Sequence, residues 1–198
     1  QLAERACQIE IDILGHPIGK QDQYAAAHGG LNYFQFNADE SVAYDRITLS
    51  DDDWHNMKRK LMLFYTGITR SADGVLSEQK KNTASKLDNL NYMKRQADLM
   101  HKELIETGFN AHFGEALHQG WLKKQELAGG ITNPTISALY EKALAAGAIG
   151  GKLLGAGGGG FLLFYCDEEK QAAVRAALGL RQIDFAPDSY GSRVIYFA

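Results

Sequence analysis

The sequence has 198 residues, of which 45% are hydrophobic and 23% charged, and its formal net charge at neutral pH is −3. This is the composition of a globular chain long enough for one or two domains, and the slightly negative charge gives no reason to expect binding to nucleic acid or to an anionic membrane. No apolar run approaches the ~20 residues that a membrane-spanning helix needs.

The two cysteines, Cys7 and Cys166, are far apart in the sequence, and each lies among apolar neighbours. Buried free thiols in a reducing compartment are therefore favoured over a disulfide. We accordingly expect a cytoplasmic protein.

The first fifty residues are predicted to form two helices and two strands. Apolar residues recur at helical spacing over residues 1–14, and Gly15-His16-Pro17 ends this helix. A glycine-bounded turn leads into a short alanine-rich helix that ends near Gly30, and strands are expected at 31–36 and 42–49. Because the first helix has no N-capping residue, the chain resembles one that begins partway through a fold.

Residues 50–147 are predicted to be mainly helical. Ser50 caps a helix whose first turn holds three aspartates, which the helix dipole favours, and a metal site on these acids is the alternative. A buried strand over 60–65 ends in a polar loop of the kind that carries function. Three helices follow, over 73–106 with a break near 82–85, over 112–127, and from Asn133, which caps a helix with proline at its first position.

Four consecutive glycines, 157–160, lie between two apolar runs. Glycine costs roughly 0.5–1 kcal/mol relative to alanine in a regular element, but it permits positive φ and close approach of the backbone. We predict a strand, a loop and a strand around these glycines, then a helix over 167–178 and a final strand over 193–197. The order of elements from residue 61 onward predicts an α+β sandwich with helices packed on one face of the sheet.

Three of the loop glycines, Gly155, Gly157 and Gly160, satisfy the pattern G-x-G-x-x-G. A dinucleotide site requires a helix directly after this pattern, whereas the following residues predict a strand, so we reject that interpretation. A Walker motif is excluded because no Gly-Lys-Ser/Thr closes the loop. A backbone nest for an anion and a close-packed hairpin without a ligand remain open.

A second candidate site is the turn Gly19-Lys20-Gln21-Asp22-Gln23. A carboxylate in a glycine turn, beside a lysine and two amides, can act as a general base toward a substrate hydroxyl. Taken alone, the pattern favours a solvated turn aspartate. Glu10 could supply a second carboxylate on the same side, although alone it is typical of a solvent-facing glutamate. The histidine spacing does not indicate zinc, and no nucleophile elbow is present.

Taken together, these segments resemble the galactokinase/homoserine/mevalonate/phosphomevalonate (GHMP) kinase superfamily. The likeness lies mainly in residues 18–23, which resemble the turn with the catalytic aspartate, and 152–161, which resemble the third family motif. It extends over the whole chain through shorter segments, namely 23–27, 29–33, 66–71 and 121–124. The pattern is most similar to that of the heptose 7-phosphate kinases, with L-fucose-type kinases as the alternative.

The resemblance implies phosphoryl transfer from ATP, with Mg²⁺, to the anomeric hydroxyl of a sugar. Asp22 would orient or deprotonate that hydroxyl, and Gly19 and Gln23 would bind the substrate. Glu10 matches the position of a carboxylate associated with magnesium. Arg70 is a candidate contact to a substrate phosphate, since guanidinium suits bidentate binding, but a surface arginine that bridges loops is equally compatible. The glycines expected to contact the phosphate loop are Gly155, Gly157, Gly158, Gly159 and Gly160.

The resemblance also implies a ferredoxin-like C-terminal kinase domain over 61–198, preceded by a remnant of the S5-like N-terminal kinase domain over 1–60. The family's nucleotide loop, Pro-x-x-x-Gly-Leu-Gly-Ser-Ser, has no counterpart in the sequence. We therefore expect a missing N-terminal half or a partner chain, and expect this chain alone to bind MgATP poorly and to be inactive. The alternative from another class is a non-catalytic module, derived from such a kinase, that binds a sugar or a partner.

Overall fold

The structure is a computed structural model that describes residues 1–69 and 72–196. These form two compact units, which we call the N-terminal unit (residues 1–48 with 186–196) and the central unit (residues 49–185). Along the chain, the central unit begins at Leu49, and residues 186–196 form part of the N-terminal unit again. The assignment of 1–60 and 61–198 to two kinase domains stays a prediction.

The N-terminal unit contains two helical segments and one hairpin. Helix α1 (Leu2–Cys7) continues as a π-helical turn (Gln8–Ile13), and α2 (Gln21–His28) follows. Strands β1 (Asn32–Phe36) and β2 (Val42–Arg46) pair antiparallel, with Phe34 opposite Tyr44. All four predicted elements are therefore present.

The first helix packs through a different face from the one its apolar spacing suggests. Ala3 and Cys7 are buried together with Tyr24 of α2, whereas Leu2, Ile9 and Ile13 are 57%, 50% and 70% exposed. Small side chains at the contact allow the two helices to approach closely. The π-helical turn also changes the angular spacing of the residues after Cys7, because a π turn takes up more residues than an α turn.

The central unit contains six helices and four strands among its described residues. Its helices are α3 (Asp51–Lys60), α4 (Ala72–Asn82), α5 (Leu87–Thr107), α6 (Ala111–Gln125), α7 (Pro134–Ala145) and α8 (Glu168–Leu178). Its strands are β3 (Leu61–Tyr65), β4 (Gly150–Leu153), β5 (Phe161–Tyr165) and β6 (Arg181–Ile183). None of the described helices has the length and apolar character needed to cross a membrane.

Local side-chain signals place several of these helices where they were predicted. Ser50 Oγ accepts a hydrogen bond from Asp53 N–H (3.1 Å), and Asn133 Oδ1 accepts one from Ile136 N–H (3.0 Å). The predicted break in the long helical region is a 3₁₀ turn, Thr83–Lys86. Caps of this kind satisfy amide groups that a helix start leaves without partners, which is why they can be recognised from the sequence.

The four strands of the central unit form an antiparallel sheet with the spatial order β4-β5-β3-β6. In chain order this is second, third, first and fourth, with helices after the first and third strands. This is the arrangement of a ferredoxin-like sandwich and confirms the predicted α+β class.

One face of this sheet forms the main core. Met62 and Phe64 of β3 pair with Phe164 and Leu162 of β5, and all four side chains are fully buried. Helical residues of the same core are Val75, Trp121, Ile136, Tyr140 and Val174. Each such side chain contributes ~1.5–3 kcal/mol when it is removed from water. Phe161, which points to the other face, is 38% exposed, in agreement with a sheet covered mainly on one side.

The predicted final strand is wrong for the part of it that the structure describes. Residues 193–196 form no strand, and Val194 and Ile195 are 78% and 90% exposed. The fourth strand is instead β6, where Ile183 pairs with Leu63 of β3. The short connection after α8 delivers β6 to the edge of β3. Residues 194–195 are β-branched, which favours a strand, but they pair with no described strand. Phe197 lies outside the described residues.

Candidate functional site

The candidate catalytic turn lies at the start of α2 in the N-terminal unit. Asp22 is the second residue of this helix and is exposed. The first turn of a helix is a favourable place for a carboxylate because the unpaired amide groups there carry partial positive charge. The structure therefore presents Asp22 to solvent on a regular element, as a base that meets a substrate requires.

Lys20, which precedes this helix, is held by an ion pair. Its Nζ lies 3.0 Å from Glu40 Oε2 in the hairpin loop, and the hydrogen bond from this pair raises the pKa of Lys20. The Lys20 carbonyl contacts Cys7 Sγ at 3.9 Å. The turn is thus attached both to the hairpin and to the first helix.

Gln23 is buried directly behind the turn. Its side chain belongs to a residue that is only 8% exposed, and its Oε1 has no hydrogen-bond partner among the described residues. An unpaired buried amide oxygen costs about 1–3 kcal/mol, so it is expected where a further donor completes the site. The substrate-binding role of Gln23 stays a prediction.

Gly19 is needed neither for backbone conformation nor for packing. It is exposed, its φ lies outside the left-handed region, and a Cβ there would have no neighbour within 4 Å. The fold of the described chain would accept a side chain at this position. The substrate-binding role of Gly19 stays a prediction.

Glu10 lies in the π-helical turn and is partly buried. Its carbonyl accepts a hydrogen bond from His16 N–H (3.0 Å), which closes the end of the helix. Single π turns in helices are frequent at functional sites. No group of three potential metal-ligating side chains occurs within residues 1–69 and 72–196, so the magnesium role of Glu10 stays a prediction.

The glycine-rich loop of the central unit connects β4 to β5, so the predicted strand–loop–strand is confirmed. A strand and not a helix follows the loop, as the rejection of the dinucleotide interpretation required. Gly155, Gly157, Gly158 and Gly160 all have positive φ, between +71° and +117°. The backbone path of the loop therefore depends on glycine at these four positions.

Two other loops of the central unit pack directly on the glycine loop. Gly158 N–H donates to Ile131 C=O (2.9 Å), and Gly160 N–H donates to Ile68 C=O (2.8 Å). A Cβ at Gly157 would lie 2.6 Å from Ile131 Cα, and one at Gly159 would lie 2.4 Å from Ile68 O. The glycines thus permit the backbone-to-backbone approach that their sequence predicts.

Polar side chains fix the same loop from neighbouring elements. Thr66 Oγ1 donates to Gly160 C=O (2.8 Å), Asn133 Nδ2 donates to Gly158 C=O (3.1 Å), and Lys124 Nζ donates to Gly155 C=O. Sequence reasoning assigned none of these three side chains a contact with the glycine loop, and each is separated from the loop by twenty residues or more. Of the three, only Asn133 had a predicted hydrogen bond, as the N-cap of a helix.

The loop retains amide groups that could hold an anion. Among the described residues, no hydrogen bond uses the N–H of Gly157 or Gly159. Successive backbone amides near positive-φ residues form concave sites that bind phosphate oxygens. The loop is therefore suited to contact a phosphate group as well as to pack.

Strand β4, which leads into the loop, is held by a buried tyrosine. Tyr140 Oη donates to Gly151 C=O (3.1 Å) and lies 2.9 Å from His118 Nδ1, so α6 and α7 are both tied to this strand. Burial raises the pKa of Tyr140, which keeps its hydroxyl protonated as a donor. Arg70, the predicted phosphate contact, lies outside the described residues.

Comparison with known proteins places this loop within a family domain. Residues 100–182 match the family model described as GHMP kinases C terminal. The chain carries a GHMP kinase C-terminal domain. The glycine loop, α6, α7 and most of the sheet lie within this GHMP domain, and the predicted family resemblance is confirmed.

Two curated relatives extend the similarity beyond the GHMP domain. A D-glycero-alpha-D-manno-heptose 7-phosphate kinase from Campylobacter jejuni is 29% identical over 184 residues, which are 92% of this chain and 54% of the relative. An L-fucokinase/L-fucose-1-P guanylyltransferase from Bacteroides fragilis is 33% identical over 163 residues, which are 79% of this chain and 17% of the relative. The chain thus spans about half of the first relative and less of the second.

The fold agrees with solved structures. A D-glycero-D-manno-heptose 1-phosphate kinase from Bacteriodes thetaiotaomicron superposes with a TM-score of 0.71 at 24% identity, over 96% of this chain and 52% of that protein. At this identity the likeness is one of fold.

Proposed function

We propose that the protein containing this chain is a sugar kinase that transfers a phosphoryl group from ATP to the anomeric hydroxyl of D-glycero-D-manno-heptose 7-phosphate. The observation that carries this proposal is the similarity to a heptose 7-phosphate kinase over 92% of the chain, because it includes both the turn at Asp22 and the glycine loop. The matched GHMP domain supports the kinase class.

In this proposal the acceptor side of the reaction lies at the start of α2. Asp22 accepts the proton of the attacking hydroxyl, for which its exposed place in the first helical turn is suitable. Gln23, whose Oε1 has no hydrogen-bond partner among the described residues, is the proposed contact to another hydroxyl of the sugar. The absence of a side chain at Gly19 leaves room for the sugar ring.

The glycine loop would contact the nucleotide phosphates. The N–H groups of Gly157 and Gly159, which bond to none of the described residues, would donate to phosphate oxygens, while the contacts of Gly158 and Gly160 hold the loop in shape. Glu10 is the proposed ligand of a magnesium ion that, when bound with the nucleotide, would neutralise charge on the transferring phosphoryl group. Arg70 is the proposed contact to the 7-phosphate of the acceptor.

The test is a phosphorylation assay with the full-length natural protein and a panel of phosphorylated and unphosphorylated sugars. Asp22→Asn should lower kcat by about 10²–10⁴-fold, the range expected for a lost general base, and should change the KM for ATP less than twofold. Asp184→Asn, at an exposed aspartate of the central unit, is the matched control. Near-normal turnover of Asp22→Asn would remove Asp22 from the mechanism.

Arg70→Ala tests the substrate assignment separately. It should raise the KM for the phosphorylated sugar and leave any activity on the unphosphorylated one unchanged. Full activity of this variant on heptose 7-phosphate would refute the phosphate contact.

An L-fucose-type kinase is the second candidate, favoured by 33% identity to the L-fucokinase protein over 79% of this chain. Preferential phosphorylation of L-fucose in the same panel would establish it.

A further inference from the structure

The end of the described chain lies across the carboxyl end of α2. We call residues 186–192 the terminal strap. Gly30 N–H donates to Asp188 C=O (2.6 Å), and Ser192 donates to Ala26 C=O through both its N–H (3.1 Å) and its Oγ (3.2 Å). These residues all belong to the N-terminal unit. The strap thus bonds to the same short helix that begins with Asp22.

Two glycines make this contact possible. A Cβ at Gly29 would lie 2.0 Å from Gly191 N, and one at Gly191 would lie 2.5 Å from Gly29 N. Real Cβ atoms do not approach backbone atoms so closely, so one backbone lies directly against the other. Both glycines also have positive φ, +59° and +65°. The contact is therefore specific to glycine on both sides.

The hairpin formed by β1 and β2 also contacts the terminal strap. Arg46 at the end of β2 donates from Nη2 to Ser189 C=O, and its guanidinium lies over Gly30, where a Cβ would be 3.0 Å from Nη2. Asp188 Oδ1 accepts from Tyr190 N–H (2.8 Å), which shapes the strap itself. The helix end, the hairpin and the strap are thereby joined by hydrogen bonds.

Helix α2, which the strap contacts, is too short to be stable by itself. It has eight residues, and isolated helices of this length are marginal in water. The last carbonyl groups of a helix lack partners within it, and Ser192 supplies two donors to that of Ala26. Ala26 lies one turn after Asp22 on the same face of the helix, so a shift at Ala26 is transmitted to Asp22.

We propose that the terminal strap is a positioning element for catalysis: by fixing the carboxyl end of α2, it aims the Asp22 carboxylate at the substrate hydroxyl. This inference rests on the proposed function. No catalytic contact is assigned to the strap. Its residues act through the geometry of the helix.

The experiment compares Gly191→Ala with Gly179→Ala in the full-length natural protein. Both glycines have φ near +60°, but a Cβ at Gly179 would meet nothing within 4 Å, so the control carries the same backbone strain without the clash. Amide hydrogen exchange over residues 24–30 reports whether the carboxyl end of α2 is ordered. Steady-state kinetics report whether the Asp22 carboxylate is correctly oriented toward the substrate.

Gly191→Ala should raise exchange over 24–30 at least tenfold and lower kcat about 10–100-fold, since a misplacement of about 1 Å can have such an effect. The KM for ATP should change less than twofold, and kcat is calculated per folded protein, because a loss of folded protein also lowers the apparent kcat without changing KM. Gly179→Ala should show neither change. Arg46→Met, which removes only the donor to Ser189, should reproduce the effect in milder form and serves if Gly191→Ala does not fold.

Unchanged exchange in Gly191→Ala and Arg46→Met would overturn the inference, because the strap would then not hold α2. Raised exchange with kcat within twofold of the parent, while Asp22→Asn is inactive, would also overturn it and leave the proposed function intact. Normal turnover of Asp22→Asn would refute the proposed function together with the aiming role.

Discussion

Gly157→Ala should destabilise the central unit far more than Gly155→Ala, although both positions have positive φ and lie in the same loop. At Gly157 (φ +117°) a Cβ would lie 2.6 Å from Ile131 Cα and 2.7 Å from Ile131 O. At Gly155 (φ +71°) it would meet nothing within 4 Å. The pair therefore separates the energy of close approach from that of backbone conformation.

The magnitude follows from three contributions. An alanine in left-handed backbone costs ~1–2 kcal/mol, and the reduced entropy of its unfolded chain offsets ~0.4–1 kcal/mol, which leaves ~1 kcal/mol for Gly155→Ala. At Gly157 the loop must also move away from Ile131, which breaks the 2.9 Å hydrogen bond from Gly158 N–H and adds strain. These terms add ~2 kcal/mol, for a total of ~3 kcal/mol.

Thermal unfolding followed by tryptophan fluorescence measures the difference. Both tryptophans of the sequence, Trp54 and Trp121, lie in the central unit, and Trp121 is 2% exposed, so the signal reports on this unit. An excess of ~2 kcal/mol corresponds to a Tm for Gly157→Ala about 4–8 °C below that of Gly155→Ala. Equal Tm values would refute the reasoning, because they would mean that the loop is not packed against Ile131.

Three further predictions concern single side chains. Tyr140→Phe should lower the urea unfolding free energy by ~1–2 kcal/mol, because a buried carbonyl of β4 loses its donor; an unchanged midpoint would contradict this. Hydrogen bonds from the Ser50 hydroxyl and the Phe109 amide lower the pKa of Asp53, so its stabilising effect is present above about pH 4 and is lost as pH falls through the lower folded-state pKa. Asp53→Asn should therefore be less stable than the parent by ~1 kcal/mol at pH 7, after allowance for solvent screening, and urea unfolding should show a smaller gap near pH 3. Gly19→Ala should leave Tm within about 1 °C, because the fold has room for the methyl group, but should raise the KM for the sugar; an unchanged KM would exclude Gly19 from the substrate site.

Elements that depend on neighbours in the chain could be predicted from the sequence. The caps at Ser50 and Asn133, and the break between α4 and α5, lie where local side-chain patterns placed them. The hydrogen bonds that start or interrupt a helix join residues a few positions apart. Such bonds can be recognised without knowledge of the fold.

Elements that depend on a distant partner were harder to predict. Residues 193–196 have strand-forming side chains but pair with no described strand, whereas the short β6 lies beside β3. In α1 and the π-helical turn, the side chains with the strongest apolar spacing are exposed because the smaller Ala3 and Cys7 pack against α2. In both cases the outcome depends on which surface another segment presents.

The candidate site likewise has features that depend on neighbours in the chain and features that depend on distant segments. The sequence by itself determined that Asp22 stands near the start of a short helix and that a glycine loop connects two strands, because these features are local. Only the tertiary structure decided that the loop lies against Ile68 and Ile131, and that the terminal strap lies against the end of α2. These contacts join backbone atoms far apart in sequence, and backbone hydrogen bonds leave no mark in the side chains except the glycines that permit them.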